Sequence, residues 1–226
     1  MSVASAAVSR PRPDSLEHRG PQRGRGHEAP PGTRSQPDAN ARLTAGTGVL
    51  VLLLLAAEGV TVLSVRQLLV PHVFIGVLLV PPVLLKVAST VWRAARYYLG
   101  DPAYRRKGPP PLWLRLLGPF LVVLTVTVLA SGIALLFVPA SARGLMLTLH
   151  KASFILWFGA MAMHVLGHVL DTASIAPRDY LRRTRRQVRG ASSRQWALLA
   201  SIAAGLLLAA ALTPYAGTWL HATLSR

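Results

Sequence analysis

The segment Leu149–Leu170, LHKASFILWFGAMAMHVLGHVL, combines an almost unbroken apolar sequence with three histidines. His150 and His164 are fourteen residues apart, and His168 follows one helical turn later. The apolar run is long enough to cross a hydrocarbon core of roughly 30 Å, which needs about 20 helical residues. The segment therefore predicts a transmembrane helix that carries imidazoles at two depths.

Apolar runs of this kind occur five times in the chain. They cover about residues 44–65, 70–92, 112–138, 147–170 and 195–220. Each run should be a helix, because a loop or an open strand in lipid would leave backbone polar groups without partners. The predicted fold is an all-α integral membrane bundle of five transmembrane helices, with a disordered tail before it.

The domain organisation follows from composition. Residues 1–42 hold six prolines and seven arginines without apolar periodicity, which predicts a disordered basic tail rich in Pro, Gly and Arg. Residues 43–170 form the predicted four-helix membrane core, and residues 171–194 a basic loop. Residues 195–226 contain the fifth helix and a short outer tail. His18 and His27 in the first tail, and His221 in the last, are predicted to be ordinary solvated residues.

Lysine and arginine predict the topology. The tail and the loops after the second and fourth helices hold twenty of them, and the opposite side holds only four. This bias places the N-terminus in the cytoplasm and the C-terminus outside in a multi-pass protein of the plasma (inner) membrane. Although the net charge is +17, the basic residues flank apolar helices, so membrane lipid is the expected partner and nucleic acid is not.

With this topology, His72 and His150 lie at one depth. Each is a few residues inside its apolar run, about 3–5 Å below the outer boundary at a rise of about 1.5 Å per residue. Two histidines at one level on two helices are suited to hold a haem iron from opposite faces. The alternative is a pair of interfacial histidines that hydrogen-bond to backbone or lipid.

A second level is predicted about 21 Å deeper, at His164, on nearly the same face of the helix as His150. The matching position on the second helix is Lys86, fourteen residues after His72. His164 could bind a second haem or a quinone, or be a buried neutral imidazole bonded to a neighbouring helix. Lys86 could extend to the surface, or could neutralise a haem propionate or bind a quinone carbonyl near His164.

The histidine pattern resembles bacterial membrane cytochrome b subunits, in particular the di-haem anchors of formate dehydrogenases and hydrogenases, and ferric-reductase-like proteins share the spacing. The resemblance implies that His72 and His150 hold an outer haem b and that His164 belongs to a second haem. That second haem also needs a histidine on the first helix, and this chain has none there. One haem is expected, a second is possible, and a quinone or a redox partner subunit would exchange the electrons.

The remaining candidates are small or polar residues near these levels. Gly76 and Gly132 could let a flat ring approach the helix backbone. His168 could chelate zinc or copper with His164, or contact a quinone head or a haem propionate. Glu58 could carry protons beside the outer haem or pair with a polar neighbour. The Pro81–Pro82 pair should interrupt the second helix.

Some chemistry is excluded by what the sequence lacks. The absence of cysteine rules out thiolate-held iron–sulfur clusters and covalent haem attachment. No flavin or nicotinamide fingerprint is present, so any oxidoreductase activity would need a partner subunit or quinol. The competing class is a non-redox multi-pass protein, such as a transporter subunit or an assembly factor, with structural histidines.

Overall fold

The computed structural model describes residues 31–106, 112–179 and 190–217. Within these ranges the regular elements are helical and no strand occurs, which confirms the all-α prediction. The helices are α1 (Pro31–Leu63), α2 (Leu69–Leu78), α3 (Val80–Tyr98), α4 (Pro102–Arg105), α5 (Leu112–Ala134), α6 (Ala140–Ile175) and α7 (Ala191–Leu212). Two 3₁₀ turns follow α6 (Ala176–Asp179) and α7 (Thr213–Ala216).

Among the described residues, five helical stretches are long and apolar enough to cross a membrane, as predicted. Their mean hydropathy lies between 1.4 and 2.2, and they are Gln36–Leu63, Leu69–Tyr98, Arg115–Ala134, Ala140–His168 and Ala191–Ala216. The protein is therefore a multi-pass membrane protein. Its orientation and its assignment to the plasma membrane stay predictions from the basic residues.

Helix α1 begins at Pro31, within the tail that was predicted to be disordered, so that prediction is wrong for residues 31–42. Polar contacts stabilise this part of the helix. Asn40 Nδ2 donates to the carbonyl of Ser89 at 3.0 Å, and the Thr44 hydroxyl donates to Ser89 Oγ at 3.0 Å. Prediction from apolar content misses such contacts. Residues 1–30 of the tail lie outside the described residues.

Helix α6 extends from Ala140 to Ile175, so it is longer at both ends than the apolar run at residues 147–170. Hydropathy indicates where a helix meets lipid, whereas backbone hydrogen bonding continues through polar residues such as Arg143. The helix and the 3₁₀ turn after it occupy the first residues of the predicted basic loop. Residues 180–189 of that loop, and His221 beyond α7, lie outside the described residues.

The second transmembrane stretch is interrupted, as the two prolines predict. It consists of α2 and α3, which are separated at Leu79. Pro82 has no N–H to donate to the carbonyl of Leu78, four residues earlier, so that carbonyl loses its partner within the helix.

Helix α7 packs against α2 and α3 at this break. A Cβ atom added at Gly205 would lie 2.5 Å from the carbonyl oxygen of Leu78 and 2.8 Å from its Cδ1. Only a glycine allows the backbone of α7 to approach the interrupted turn so closely. Val77, Leu78 and Ala209 form a buried apolar cluster beside this contact.

A second cluster joins α5 and α6. Leu121, Leu124, Trp157 and Ala160 are buried together. The indole Nε1 of Trp157 donates to Thr125 Oγ1 at 2.9 Å, so the polar atom of this large side chain is satisfied inside the cluster. This packing fixes the position of α6, which carries His150, relative to α5.

Replacement of Gly205 by alanine should destabilise the bundle. The new methyl group would overlap backbone and could not be accommodated by a side-chain rotation, so we expect a loss of about 1–3 kcal/mol in the free energy of unfolding. Gly159→Ala is the matched control, since a Cβ at Gly159 meets nothing within 4 Å in the described part of the chain. Thermal unfolding in detergent micelles measures both variants. Equal stability of the two would show that α7 does not pack at the break.

Candidate functional site

The structure brings His72 on α2 and His150 on α6 together. Their ring centroids are 6.3 Å apart and their planes are inclined by 76°. The two residues are far apart in the sequence. They were predicted to be neighbours because their positions in the two helices gave them the same depth. The two imidazoles therefore form one site, and both line the central cavity of the bundle.

The 6.3 Å separation fits two ligands on opposite sides of one metal ion. An imidazole nitrogen binds a transition metal at about 2 Å, and the ring centroid lies about 1 Å behind that nitrogen, so opposite ligands have centroids about 6 Å apart. A direct edge-to-face contact between aromatic rings can have a similar separation. The hydrogen bonds of the two rings are therefore needed to distinguish a pair of metal ligands from a direct ring contact.

His72 is held through its Nδ1 atom. Glu58 Oε1 lies 2.8 Å from this nitrogen and Thr61 Oγ1 lies 3.2 Å from it. The Thr61 hydroxyl also donates to Glu58 Oε2 at 3.1 Å. Because a carboxylate oxygen accepts, the contact with Glu58 assigns a proton to Nδ1 of His72 and leaves Nε2 as the nitrogen that could bind a metal.

His150 is held in the same way from α5. Its Nδ1 donates to the backbone carbonyl of Val128 at 3.1 Å and lies 3.1 Å from Ser131 Oγ. A carbonyl oxygen also only accepts, so the lone pair of His150 is again on Nε2. Among the described residues neither Nε2 atom has a hydrogen-bond partner. Such bonds orient histidine ligands in metalloproteins, where they fix the tautomer and the ring plane.

Gly76 and Gly132 make room for these side chains. A Cβ at Gly76 would lie 3.3 Å from Glu58 Oε1, and a Cβ at Gly132 would lie 3.0 Å from Cε1 of His150. In the structure the two glycines make room for the carboxylate that holds one histidine and for the imidazole of the other. Their predicted role beside a cofactor ring stays a prediction.

A cavity of about 2530 Å³ connects the two predicted levels. The residues predicted for the site all line it, and they are His72, His150, His164, His168, Lys86, Gly76 and Gly132. Typical small-molecule pockets measure about 300–1,000 Å³, so this cavity can hold a large planar cofactor. The predicted residues lie along one continuous space between the helices.

The far level has a different arrangement. His164 and His168 have ring centroids 4.8 Å apart, inclined by 60°. Nδ1 of His164 is buried and has no hydrogen-bond partner among the described residues. At 4.8 Å the rings are too close to hold one metal ion from opposite sides, which needs about 6 Å between centroids.

Lys86 makes a contact that the sequence did not predict. Its Nζ donates to the backbone carbonyl of Thr44 on α1 at 2.7 Å, so the ammonium group is held inside the bundle. The residue also lines the cavity, close enough to His164 for its charge to act on that imidazole. Lys86 thus links α3 to α1 at the far level.

Several functional residues were missed or left undecided by sequence reasoning. Glu58 was a candidate without a partner, and the structure assigns it to His72. Thr61, Ser131 and the carbonyl of Val128 gave no signal, because hydroxyls and backbone groups are common in membrane helices. The available clue was a carboxylate inside an apolar run, which needs a nearby partner.

No protein-family model matches the chain, and neither a curated protein nor a solved structure is significantly similar to it. The site must therefore be interpreted from its own geometry. The described residues contain no group of three or more His, Cys, Asp or Glu side chains that could hold a metal ion.

Alanine at Gly132 should disturb His150. The added methyl group would lie 3.0 Å from Cε1 and 3.5 Å from Nδ1 of the ring, so the imidazole must shift by a few tenths of an ångström and weaken its bonds to Ser131 and Val128. NMR of histidine-labelled protein should show a changed Nδ1 resonance for His150. Gly144→Ala on α6 is the matched control. A Cβ atom at Gly144 has no described atom within 4 Å, so this variant should leave the resonance unchanged. A change in both variants, or in neither, would contradict the contact.

Proposed function

We propose that the chain is a membrane cytochrome b subunit that binds one b-type haem between His72 and His150 and exchanges electrons with a quinone or a partner redox protein. The observation that carries the proposal is the pairing of two imidazoles 6.3 Å apart on separate helices, each held through Nδ1. A structural histidine would make similar Nδ1 bonds. Two such histidines facing one cavity, both with lone pairs on Nε2, are expected of axial ligands.

The chain's own residues would position and tune this site. Glu58 would fix the plane of the His72 imidazole and the nitrogen that faces the metal, through its bond to Nδ1. Val128 and Ser131 do the same for His150 with neutral groups. A haem bound there supplies one-electron chemistry between ferric and ferrous iron.

The cavity lining includes both apolar and charged residues. Val73, Leu129 and Leu147 contribute apolar side chains, which suit a porphyrin face and keep water away. Arg66 and Arg143 line the same cavity and supply cationic groups of the kind that bind carboxylates such as haem propionates. A large apolar ring with acidic substituents therefore matches the chemistry of this lining.

The proposal is limited to one haem. The His164–His168 pair is too close to bracket a second iron, and α1 carries no histidine to complete such a site. Lys86 lies fourteen residues after His72, the same spacing that separates His164 from His150. Its Nζ donates to the backbone carbonyl of Thr44. A quinone in the cavity, or a partner protein at its surface, would then exchange electrons with the single haem.

Haem binding is tested with the full chain, expressed with haem supplementation and purified in detergent. We expect about one haem per chain and a sharp α-band on reduction, which His72→Ala or His150→Ala should abolish because each removes an axial ligand. His164→Ala and His168→Ala are the matched controls and should retain the haem. Electron exchange is then measured as reduction of the ferric protein by a quinol.

Three results would count against the proposal. A colourless protein would favour the competing interpretation, a non-redox membrane protein with structural histidines. Retention of haem by both ligand variants would remove the assigned site. Loss of half the haem in His164→Ala would show a second site and a different stoichiometry.

Glu58→Gln should raise the midpoint potential. The glutamine can still accept from Nδ1 of His72, but the negative charge that favours the ferric form is lost, so we expect a rise of roughly 50–100 mV. Redox titration measures the shift. Thr61→Val removes the neutral hydroxyl beside Nδ1 of His72 and its hydrogen bond to Glu58, but it keeps the carboxylate, so it should shift the potential much less. A fall in Glu58→Gln, or equal shifts, would be inconsistent with a charged partner at His72.

A further inference from the structure

The far level of the cavity presents a second imidazole pair with a different geometry. His164 and His168 are separated by one turn of α6, and their ring centroids are 4.8 Å apart. Two imidazoles on one metal ion at tetrahedral or right angles have centroids about 4–5 Å apart, since each centroid lies about 3 Å from the metal. The pair thus matches adjacent ligands, whereas His72 and His150 match opposite ones.

A buried polar atom points to a ligand at this pair. Nδ1 of His164 is inaccessible to solvent and has no hydrogen-bond partner in the described part of the chain. Leaving a buried polar atom without a partner is costly, so such atoms are normally satisfied by a neighbour or a ligand. Both histidines line the cavity, through which a small ion can reach them.

We propose that His164 and His168 chelate an exchangeable divalent transition-metal ion, with copper(II) bound most tightly. Two imidazoles at i and i+4 of a helix supply adjacent nitrogen ligands, and water or an anion completes the coordination. Affinity should follow the usual order for nitrogen sites, with copper above zinc and nickel, and with manganese far weaker. Because the described structure offers no third protein ligand, the ion exchanges readily. The site does not depend on the haem.

The sign of the ligand's charge can be tested through Lys86. Its ammonium group is fixed by the Thr44 carbonyl and lies near enough to act electrostatically on His164. A bound cation would be repelled by this charge, and a hydrogen-bond acceptor or anion would be attracted. Lys86→Met should therefore tighten copper binding. Weaker copper binding in that variant would contradict a cation bound beside this charge and would overturn the proposal.

The experiment uses the full chain in detergent, with its purification tag removed, and copper(II) as the probe. Electron paramagnetic resonance at substoichiometric copper should show coupling to two imidazole nitrogens. Calorimetric titration should show that His164→Ala and His168→Ala each weaken binding by at least about tenfold. His150→Ala is the matched control, because it removes an imidazole of the other pair and should keep the copper site intact.

The outcomes separate this proposal from the haem proposal. Copper lost in His164→Ala but retained in His150→Ala supports the chelate, whatever the haem content of either variant. Copper retained in the double variant of His164 and His168, or lost in His150→Ala, assigns the ion to other histidines and overturns the proposal. A haem-free protein that shows the copper pattern would remove the cytochrome assignment and leave the metal site.

Discussion

The structure depends on the requirement that polar groups inside an apolar bundle find partners within the protein. Water is absent from the hydrocarbon core, and an unpaired polar atom there is costly. Two charged residues inside the apolar spans have partners on another helix. Glu58 on α1 contacts His72 on α2, and Lys86 on α3 donates to a carbonyl of α1. These bonds fix the mutual positions of the first three helices.

The interrupted turn of the second transmembrane stretch also determines how the fifth stretch packs. Pro82 deprives the carbonyl of Leu78 of its helical partner, and α7 approaches that turn at Gly205, where no side chain intervenes. Helix α7 thus packs at the interrupted turn between α2, which carries His72, and α3. The interruption lies just after the level of the histidine pair and before Lys86.

The two histidine pairs differ in the chemistry that they favour. Rings 6.3 Å apart on two helices, with both Nδ1 atoms engaged, have the separation of opposite ligands of one metal ion. Rings 4.8 Å apart on one helix suit adjacent ligands of a small ion. In each case the spacing along the sequence determines which geometry is accessible. Partners far apart in the chain can face each other across a cavity, and partners one turn apart cannot.

The sequence alone determined the helical class, the five spans, the interruption at the prolines and the common level of His72 and His150. These properties depend on hydropathy, on proline's missing donor and on helical rise, which are local. Tertiary structure decided the contacts between helices. Glu58 could be assigned to His72, Lys86 to Thr44, and Gly205 to Leu78 only after the helices were packed. The helical start of residues 31–42 was missed for the same reason, because its hydrogen bonds to Ser89 join distant parts of the chain.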